Sequence, residues 1–289
     1  MIEQDLLRRF LFEELGIRGT WVKLTTSWQS AKQNQQGHEI AQLQLGQALA
    51  AVVMLSATIK FNGSIILQAQ GEGDIKTLVA QSTHDKKIRG LIRCNDPVLT
   101  GVLATRFGQG RLVLTIEPDN GQPYQGVVPL QGNSLAAALQ TYFEQSEQLK
   151  TRLWLFADAT CAAGLLIQEL PAHNRDEADW ERIEILADTL TEQEALELDC
   201  ENLLYKLFNE EHVRLFDAEP VEFKCACSRP RIERTLRALG KKELESLLQE
   251  RGTIEVICEF CGEHSIFDRV DVKTLLSSES LTNPSETRH

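Results

Sequence analysis

Four of the seven cysteines lie in two close pairs near the end of this 289-residue chain. Cys225 and Cys227 are separated by one residue, Cys258 and Cys261 by two, and 30 residues lie between the two pairs. Thiolates are preferred ligands of Zn²⁺, and two close pairs can together supply the four donors of a tetrahedral site. The sequence therefore predicts that these four thiols bind one zinc ion per chain.

Local sequence supports ligation by both pairs. Gly262 permits a tight turn after Cys261, in which backbone amides can face the sulfurs. Cys225 and Cys227 would point to the same side of an extended segment. Four arginines near the first pair could offset the net charge of −2 that four thiolates and one zinc ion carry: Arg229, Arg231, Arg234 and Arg237.

The same spacing permits redox chemistry. Each close pair can form a local disulfide, Cys225 with Cys227 and Cys258 with Cys261. A disulfide no longer offers thiolates to a metal ion, so oxidation would release zinc together with its folding energy, on the order of 10 kcal/mol in small zinc modules.

Two other functions stay open. A constitutive structural-zinc module for protein interaction or nucleic-acid binding is the first, although the net charge of −12 and the lack of a basic stripe disfavour nucleic acid as a partner. A thiol–disulfide oxidoreductase is the second. Its Cys-x-x-Cys motif usually begins a helix, whereas Cys258 follows the strand-like residues 253–257.

The remaining residues give no sign of catalysis. Cys94, Cys161 and Cys200 are isolated, and we expect each to be a small buried apolar residue. His264 could replace a ligand, but four thiols make this unnecessary. The chain contains no Walker loop, Gly-x-Ser-x-Gly elbow or His-Glu-x-x-His motif, so we expect no enzyme activity.

Residues 1–172 carry the pattern of a mixed domain with a mainly antiparallel sheet and helices, which predicts an α+β fold. Asn120-Gly121 predicts a hairpin, because this pair tolerates the positive φ of such turns. Helices are predicted at 3–15 (ending at Gly16), 39–59 and 134–148. Strands are predicted at 18–26, 64–70, 75–81, 87–93, 111–117, 124–130, 152–156 and 164–170.

Most of the charge excess lies in residues 173–220, which contain four basic and 15 acidic residues. Apolar stripes predict helices in this middle segment (Trp180, Ile183, Ala187, Leu190; Leu203, Leu204, Leu207, Phe208). The segment is either metastable, folded only while docked, or an ordinary solvated linker. If metastable, neutralising several of its acidic residues should raise the oxidant dose needed to unfold it (Asp176, Glu177, Asp179, Glu181, Glu184).

Residues 221–289 read as a small C-terminal module. Helices are predicted at 230–239 and 241–249 and a strand at 253–257, with few large apolar residues, so zinc would be its main organiser. The Ser/Thr/Glu/Pro-rich residues 277–289 are predicted to be frayed.

Targeting signals are not evident. Charges occupy the first nine residues, where an export signal is apolar, and the apolar residues 48–59 are shorter than the ~20 that a membrane-spanning helix needs. We therefore expect a buried core helix, no membrane partner and a reducing cytoplasm.

The sequence resembles the redox-regulated heat shock protein 33 chaperones along its whole length. Residues 221–228 (Val-Glu-Phe-Lys-Cys-Ala-Cys-Ser) are similar to the Cys-x-Cys signature of that family, and 258–262 (Cys-Glu-Phe-Cys-Gly) to its Cys-x-x-Cys partner. Residues 17–19, 56–61, 124–128 and 146–149 also match. Ile17 in place of Val and Ala226 in place of Thr are conservative departures.

The resemblance implies a cytoplasmic, ATP-independent holdase. It implies that the reduced, zinc-bound protein is inactive, and that oxidation forms the two local disulfides, releases zinc and unfolds the module and the middle segment. Unfolding client proteins would then bind. The active form would be a homodimer, and clients would pass to ATP-dependent foldases. On this view, 1–172 is the client-binding and dimerisation domain, 173–220 the metastable linker and 221–289 the redox switch.

Overall fold

The computed structural model describes residues 4–35, 37–59, 62–95, 101–170 and 177–277. The chain forms two compact units, Met1–Lys224 and Cys225–His289. Helices and strands occur in both units, so the predicted α+β class is confirmed. The predicted tail, apart from Ser277, lies outside the described residues, as does Asp176.

The first unit contains two large sheets and seven helices among its described residues. The strands are β1 (Leu6–Phe12), β2 (Ile17–Leu24), β3 (Gly63–Gly71), β4 (Ile75–Thr83), β5 (Lys87–Cys94), β6 (Gly110–Pro118), β7 (Tyr124–Pro129), β8 (Thr151–Ala157), β9 (Ala162–Glu169), β10 (Val213–Leu215), β11 (Glu219–Pro220) and β12 (Glu222–Phe223). The helices are α1 (Thr26–Lys32), α2 (Glu39–Thr58), α3 (Leu103–Phe107), α4 (Leu135–Tyr142), α5 (Glu177–Ala187), α6 (Glu192–Glu197) and α7 (Cys200–Phe208).

Strand pairing is antiparallel in both sheets, except between β12 and β5. The first sheet has the order β10-β1-β2-β9-β8, with β11 also paired to β1, and the second has the order β12-β5-β4-β3-β6-β7. The predicted Asn-Gly hairpin is present as β6 and β7, with Gly121 at φ +143°. The predicted helix at 134–148 begins after the capping residue Ser134, but its last part is a π-helical turn, Phe143–Glu147.

Helix α2 forms the centre of the main core. Its residues pack against strands of both sheets, and the buried cluster around it includes Leu45, Leu49 and Val52. The helix is long and apolar enough to span a membrane by length and composition, but most of it is buried inside the fold. We therefore interpret α2 as a core helix, as the sequence predicted.

The predicted helix at 3–15 is wrong, because this segment forms strand β1. Leu7 faces the main core, whereas Phe10 and Phe12 on the opposite face pack in a second core. A strand buried on both faces loses the alternation of apolar and polar residues that identifies a strand. Gly16, at φ +63°, belongs to the β1–β2 connection rather than to a helix end.

The middle segment packs onto the first sheet and lies in the same unit as residues 1–172. Both predicted apolar stripes are buried in the second core, which also contains Phe10, Trp21 and Ile167 of the first sheet. The segment is therefore docked in this structure rather than solvated along its length.

Residues 213–224, called the strap below, follow α7 and run along the edges of both sheets. Strands β10 and β11 pair with β1, and β12 pairs with β5. The Val221 and Lys224 amides donate to the carbonyls of Asp5 and Ile88, at 2.7 and 3.0 Å. The strap ends one residue before Cys225.

The second unit contains three helices and a two-stranded sheet in its described part. Its elements are α8 (Arg229–Leu239), α9 (Lys241–Arg251), β13 (Ile254–Ile257), β14 (His264–Phe267) and α10 (Arg269–Ser277). Both predicted helices and the predicted strand are confirmed, whereas β14 and α10 were not predicted. The buried core is small and includes Leu236, Leu244 and Phe267.

Candidate metal centre

The structure brings all four predicted ligands together. The four Sγ atoms lie within 4.8 Å of one another. Two short contacts join the two motifs: Cys225 Sγ is 3.6 Å from Cys258 Sγ, and Cys227 Sγ is 3.3 Å from Cys261 Sγ. Four sulfurs about 2.3 Å from a zinc ion would be about 3.8 Å apart in a tetrahedron, so this grouping fits one ion.

A tight turn after β13 positions the second pair. The Gly262 amide donates to the Cys258 carbonyl at 2.7 Å, and the Cys258 amide donates to the Glu263 carbonyl at 2.9 Å. Gly262 has φ +72°, in the left-handed region where glycine is favoured. The predicted role of Gly262 is therefore confirmed.

The first pair lies outside any helix or strand, between the strap and helix α8. Cys227 precedes Ser228, which stands at the N-cap position of α8 without a side-chain capping hydrogen bond, and Pro230 occupies the first turn. Arg231 Nη1 donates to the Ala226 carbonyl at 3.3 Å, which ties this segment to the helix.

Arg229 links three elements of the second unit. Its guanidinium lies 2.9 Å from Asp271 on α10, donates to the Ile266 carbonyl at 3.2 Å and lies 4.4 Å from the centroid of the Phe267 ring. Glu233 is 3.6 Å from Arg229 and 3.9 Å from Arg237. Two of the four predicted arginines are thus paired with carboxylates, and Arg229 also joins α8 to β14 and α10.

The surroundings of the cysteine thiols shift their pKa values in different directions. Burial raises the pKa of Cys227 above its ordinary value, and contacts with neighbouring thiols add to this effect. Burial also raises the pKa of Cys261. Burial opposes ionisation of Cys258 as well, but backbone N–H groups of Cys261 and Phe260 donate to its sulfur, and the net effect is a lowered pKa.

The other candidates lie elsewhere. His264 is outside the four-cysteine cluster, and its Nδ1 lies 2.7 Å from Glu255 Oε1 on the neighbouring strand. Cys161 and Cys200 are buried in the second core, and burial raises the pKa of Cys161 to about 11. Cys94 is partly buried against the main core. All three fit the predicted role of small apolar residues.

Comparison with known proteins assigns the chain to a family. The sequence profile of the family described as "Hsp33 protein" matches residues 5–268. A 33 kDa chaperonin of Nitrosococcus oceani is 55% identical over 289 residues, covering 100% of both chains. A 33 kDa chaperonin of Hahella chejuensis is 43% identical and covers 97% of this chain and 100% of its own.

This chain belongs to the Hsp33 family.

A solved structure supports the Hsp33 fold. The crystal structure of a 33 kDa chaperonin (heat shock protein 33 homologue) from Thermotoga maritima has a TM-score of 0.84 to this chain at 24% identity, covering 96% of this chain and 99% of that chain. The Hsp33 relatives are named chaperonins.

The sequence missed two features around the cysteines of this Hsp33 protein. Strand β14 supplies Phe267 beneath Arg229, and α10 supplies Asp271. The four residues of β14 (His-Ser-Ile-Phe) do not alternate between polar and apolar types, and only Phe267 is buried, so a pattern of period two could not identify this strand. The strap gave no sequence signal, because its strands contain only two or three residues each.

Proposed function

We propose that this Hsp33 protein is a redox-regulated, ATP-independent holdase whose reduced form is inactive with one zinc ion bound, and whose oxidised form binds unfolding client proteins. The observation that carries the proposal is the clustering of two local cysteine pairs within 4.8 Å in a unit with a small apolar core. Membership in a chaperone family supports protein binding as the activity.

Cys225, Cys227, Cys258 and Cys261 would hold the metal. The donor set is all sulfur, which zinc accepts readily and which hard cations such as Mg²⁺ and Ca²⁺ do not. When bound, zinc would keep the four thiols ionised and contribute the folding energy that the small core lacks.

Oxidation would join Cys225 to Cys227 and Cys258 to Cys261. Counted as thiols, each pair gives two electrons and two protons to one hydrogen peroxide molecule, which becomes two waters, while one S–S bond forms.

The pairing decides whether oxidation can unfold the second unit. A disulfide between residues two or three apart closes a very short loop and constrains the unfolded chain little. A disulfide between the motifs would close a loop of more than 30 residues and would stabilise the folded unit. Close sulfur contacts between the motifs are expected for ligands of one ion. Local pairing therefore lets oxidation unfold the second unit, whereas pairing between the motifs would stabilise it.

Unfolding would pass to the middle segment through the strap, which ends at Lys224 beside Cys225. The middle segment would then expose apolar surface for clients. By resemblance to the family, we also propose a cytoplasmic location, a homodimeric active form and transfer of clients to ATP-dependent foldases.

The test measures zinc content, disulfide connectivity and suppression of client aggregation before and after peroxide. We expect the reduced protein to hold one zinc ion and to be inactive, and the oxidised protein to lose zinc, form the two local disulfides and suppress aggregation. The Cys258→Ser variant should bind zinc weakly and lose most of its dependence on peroxide. The control Cys94→Ser, outside the cluster, should behave as the wild type.

Two results would contradict the proposal. One is full activity of the reduced, zinc-bound protein with no effect of peroxide. The other is a pair of disulfides between the motifs in the active protein.

A further inference from the structure

The face of the first sheet beneath α5–α7 is apolar at its centre. Alternate residues of β1, β2 and β9 point to this side and are almost fully buried by the three helices: Phe10, Phe12, Ile17, Trp21, Ala163, Leu165 and Ile167. We call this surface the covered face.

Cations lie on the same side of the sheet. The alternation that places Phe10, Trp21 and Trp154 on the covered face also places Arg8, Lys23 and Arg152 there, on β1, β2 and β8. Lys150 lies just before β8. Glu169 is the carboxylate that the same alternation puts at the end of β9.

Each of these cations makes an ion pair with a helix of the middle segment or a hydrogen bond to the turn between α6 and α7. Arg8 lies 3.0 Å from Glu201, and Lys150 pairs with Glu177. Arg152 lies 3.1 Å from Glu184 and 3.3 Å from Asp188. Lys23 donates to the Leu198 carbonyl just after the end of α6, at 3.2 Å.

The helices carry the complementary charge. Residues 177–208 contain ten acidic and two basic residues. The covered face is therefore occupied by amphipathic helices whose apolar stripes fill its centre and whose carboxylates meet the cations around it.

We propose that the covered face, once the middle segment leaves it, binds acidic amphipathic helical segments of unfolding proteins. This inference rests on the proposed function, in which oxidation releases the segment. It adds the chemistry of the client: a segment that resembles α5–α7 in having an apolar stripe flanked by carboxylates.

Cations that would be covered by a bound client make the covered face prefer acidic clients to neutral ones. The Arg8 side chain is 14% exposed in the docked state, so it lies in a less polar environment than surface cations do. A neutral client would cover Arg8 without supplying a carboxylate, which costs affinity, whereas an acidic client would pair it. Lys23, which is 3% exposed, donates to a backbone carbonyl that a neutral helix also offers, so the preference comes from Arg8, Lys150 and Arg152.

The test uses two labelled peptides and the fully oxidised, full-length protein. The first peptide has the sequence of residues 177–208 with Cys200→Ser. The second also carries Glu177→Gln, Glu184→Gln, Asp188→Asn and Glu201→Gln, and keeps every apolar residue. We expect the acidic peptide to bind roughly five- to tenfold more tightly at low salt. The difference should shrink in about 0.5 M salt because of screening.

Two double variants test whether the preference for the acidic peptide depends on the cations of the covered face. Lys150→Gln with Arg152→Gln should remove most of the preference while leaving the affinity for the second peptide unchanged. Lys76→Gln with Arg111→Gln makes the same charge change on β4 and β6 of the other sheet and should keep the preference.

Equal affinity for the two peptides would overturn the inference, as would a preference that survives in the Lys150–Arg152 variant. If the oxidised protein suppresses aggregation but binds neither peptide, the inference fails and the proposed function stands. If the oxidised protein does not suppress aggregation, the proposed function fails, and the inference fails with it.

Discussion

Arg229 is the residue that joins the helices of the second unit to the strand behind the cysteines. Its guanidinium makes an ion pair with Asp271, donates to the Ile266 carbonyl and covers the ring of Phe267. Only a planar group with several donors can make these three contacts together. The position of Cys227, two residues earlier, therefore depends on a side chain that does not itself ligate metal.

Replacing Arg229 by lysine should weaken metal retention although the charge is kept. Lysine cannot reproduce the forked contacts, so we expect a loss of about 1 kcal/mol in the stability of the second unit. The measurement is the rate of zinc transfer to a chelator from the reduced protein, which should rise severalfold. Arg234→Lys is the control, since Arg234 is exposed on the same helix. Equal rates in the two variants would show that charge alone matters.

At the scale of elements, the acidic residues of α5 do not act alike. Glu177, Asp179 and Glu184 are paired with Lys150, Arg182 and Arg152. The prediction that neutralising several of these acidic residues raises the oxidant dose therefore depends on which residues are neutralised. Within the described residues Glu181 makes no ion pair, and it lies one helical turn from both Glu177 and Glu184.

Two single variants on α5 should shift activation in opposite directions. Glu181→Gln removes repulsion at spacings of three and four residues and should stabilise docking by about 0.3 kcal/mol. Glu184→Gln breaks the half-exposed pair with Arg152 and should destabilise docking by up to about 1 kcal/mol. The measurement is the peroxide dose for half-maximal suppression of aggregation, which should rise for the first variant and fall for the second. A shift in the same direction for both would contradict this assignment.

Elements set by local sequence were predictable, and elements set by distant partners were not. The β6–β7 hairpin follows from Asn120-Gly121, and α2 from a long apolar stretch. Strand β1 was misassigned because both of its faces are buried. Strands β10 and β12 exist through pairing with β1 and β5, some 200 and 130 residues away in sequence. The four cysteines were predictable because thiol spacing identifies a metal site without knowledge of the fold.

For the whole molecule, the two units differ in what stabilises them. The first has two buried cores and two six-stranded sheets, whereas the described part of the second has one small core and a two-stranded sheet. Apolar burial scales with the size of a core, and so small an apolar core is rarely sufficient by itself. We therefore predict that metal binding at the four cysteines controls the stability of the second unit, and that in the first unit it affects the strap and the middle segment but not the main core.

Removal of zinc from the reduced protein should thus unfold residues 225–277 without unfolding α2 or the central strands. Amide hydrogen exchange after chelation measures this directly. We expect protection to be lost first in β13 and β14, then at Glu222 and Lys224, whose amides donate the last backbone hydrogen bonds before Cys225, and later in α5–α7. Protection in α2 should persist. Unchanged protection of β13 and β14 would mean that the apolar core holds the second unit without metal. Simultaneous loss in α2 would mean that the two units unfold as one.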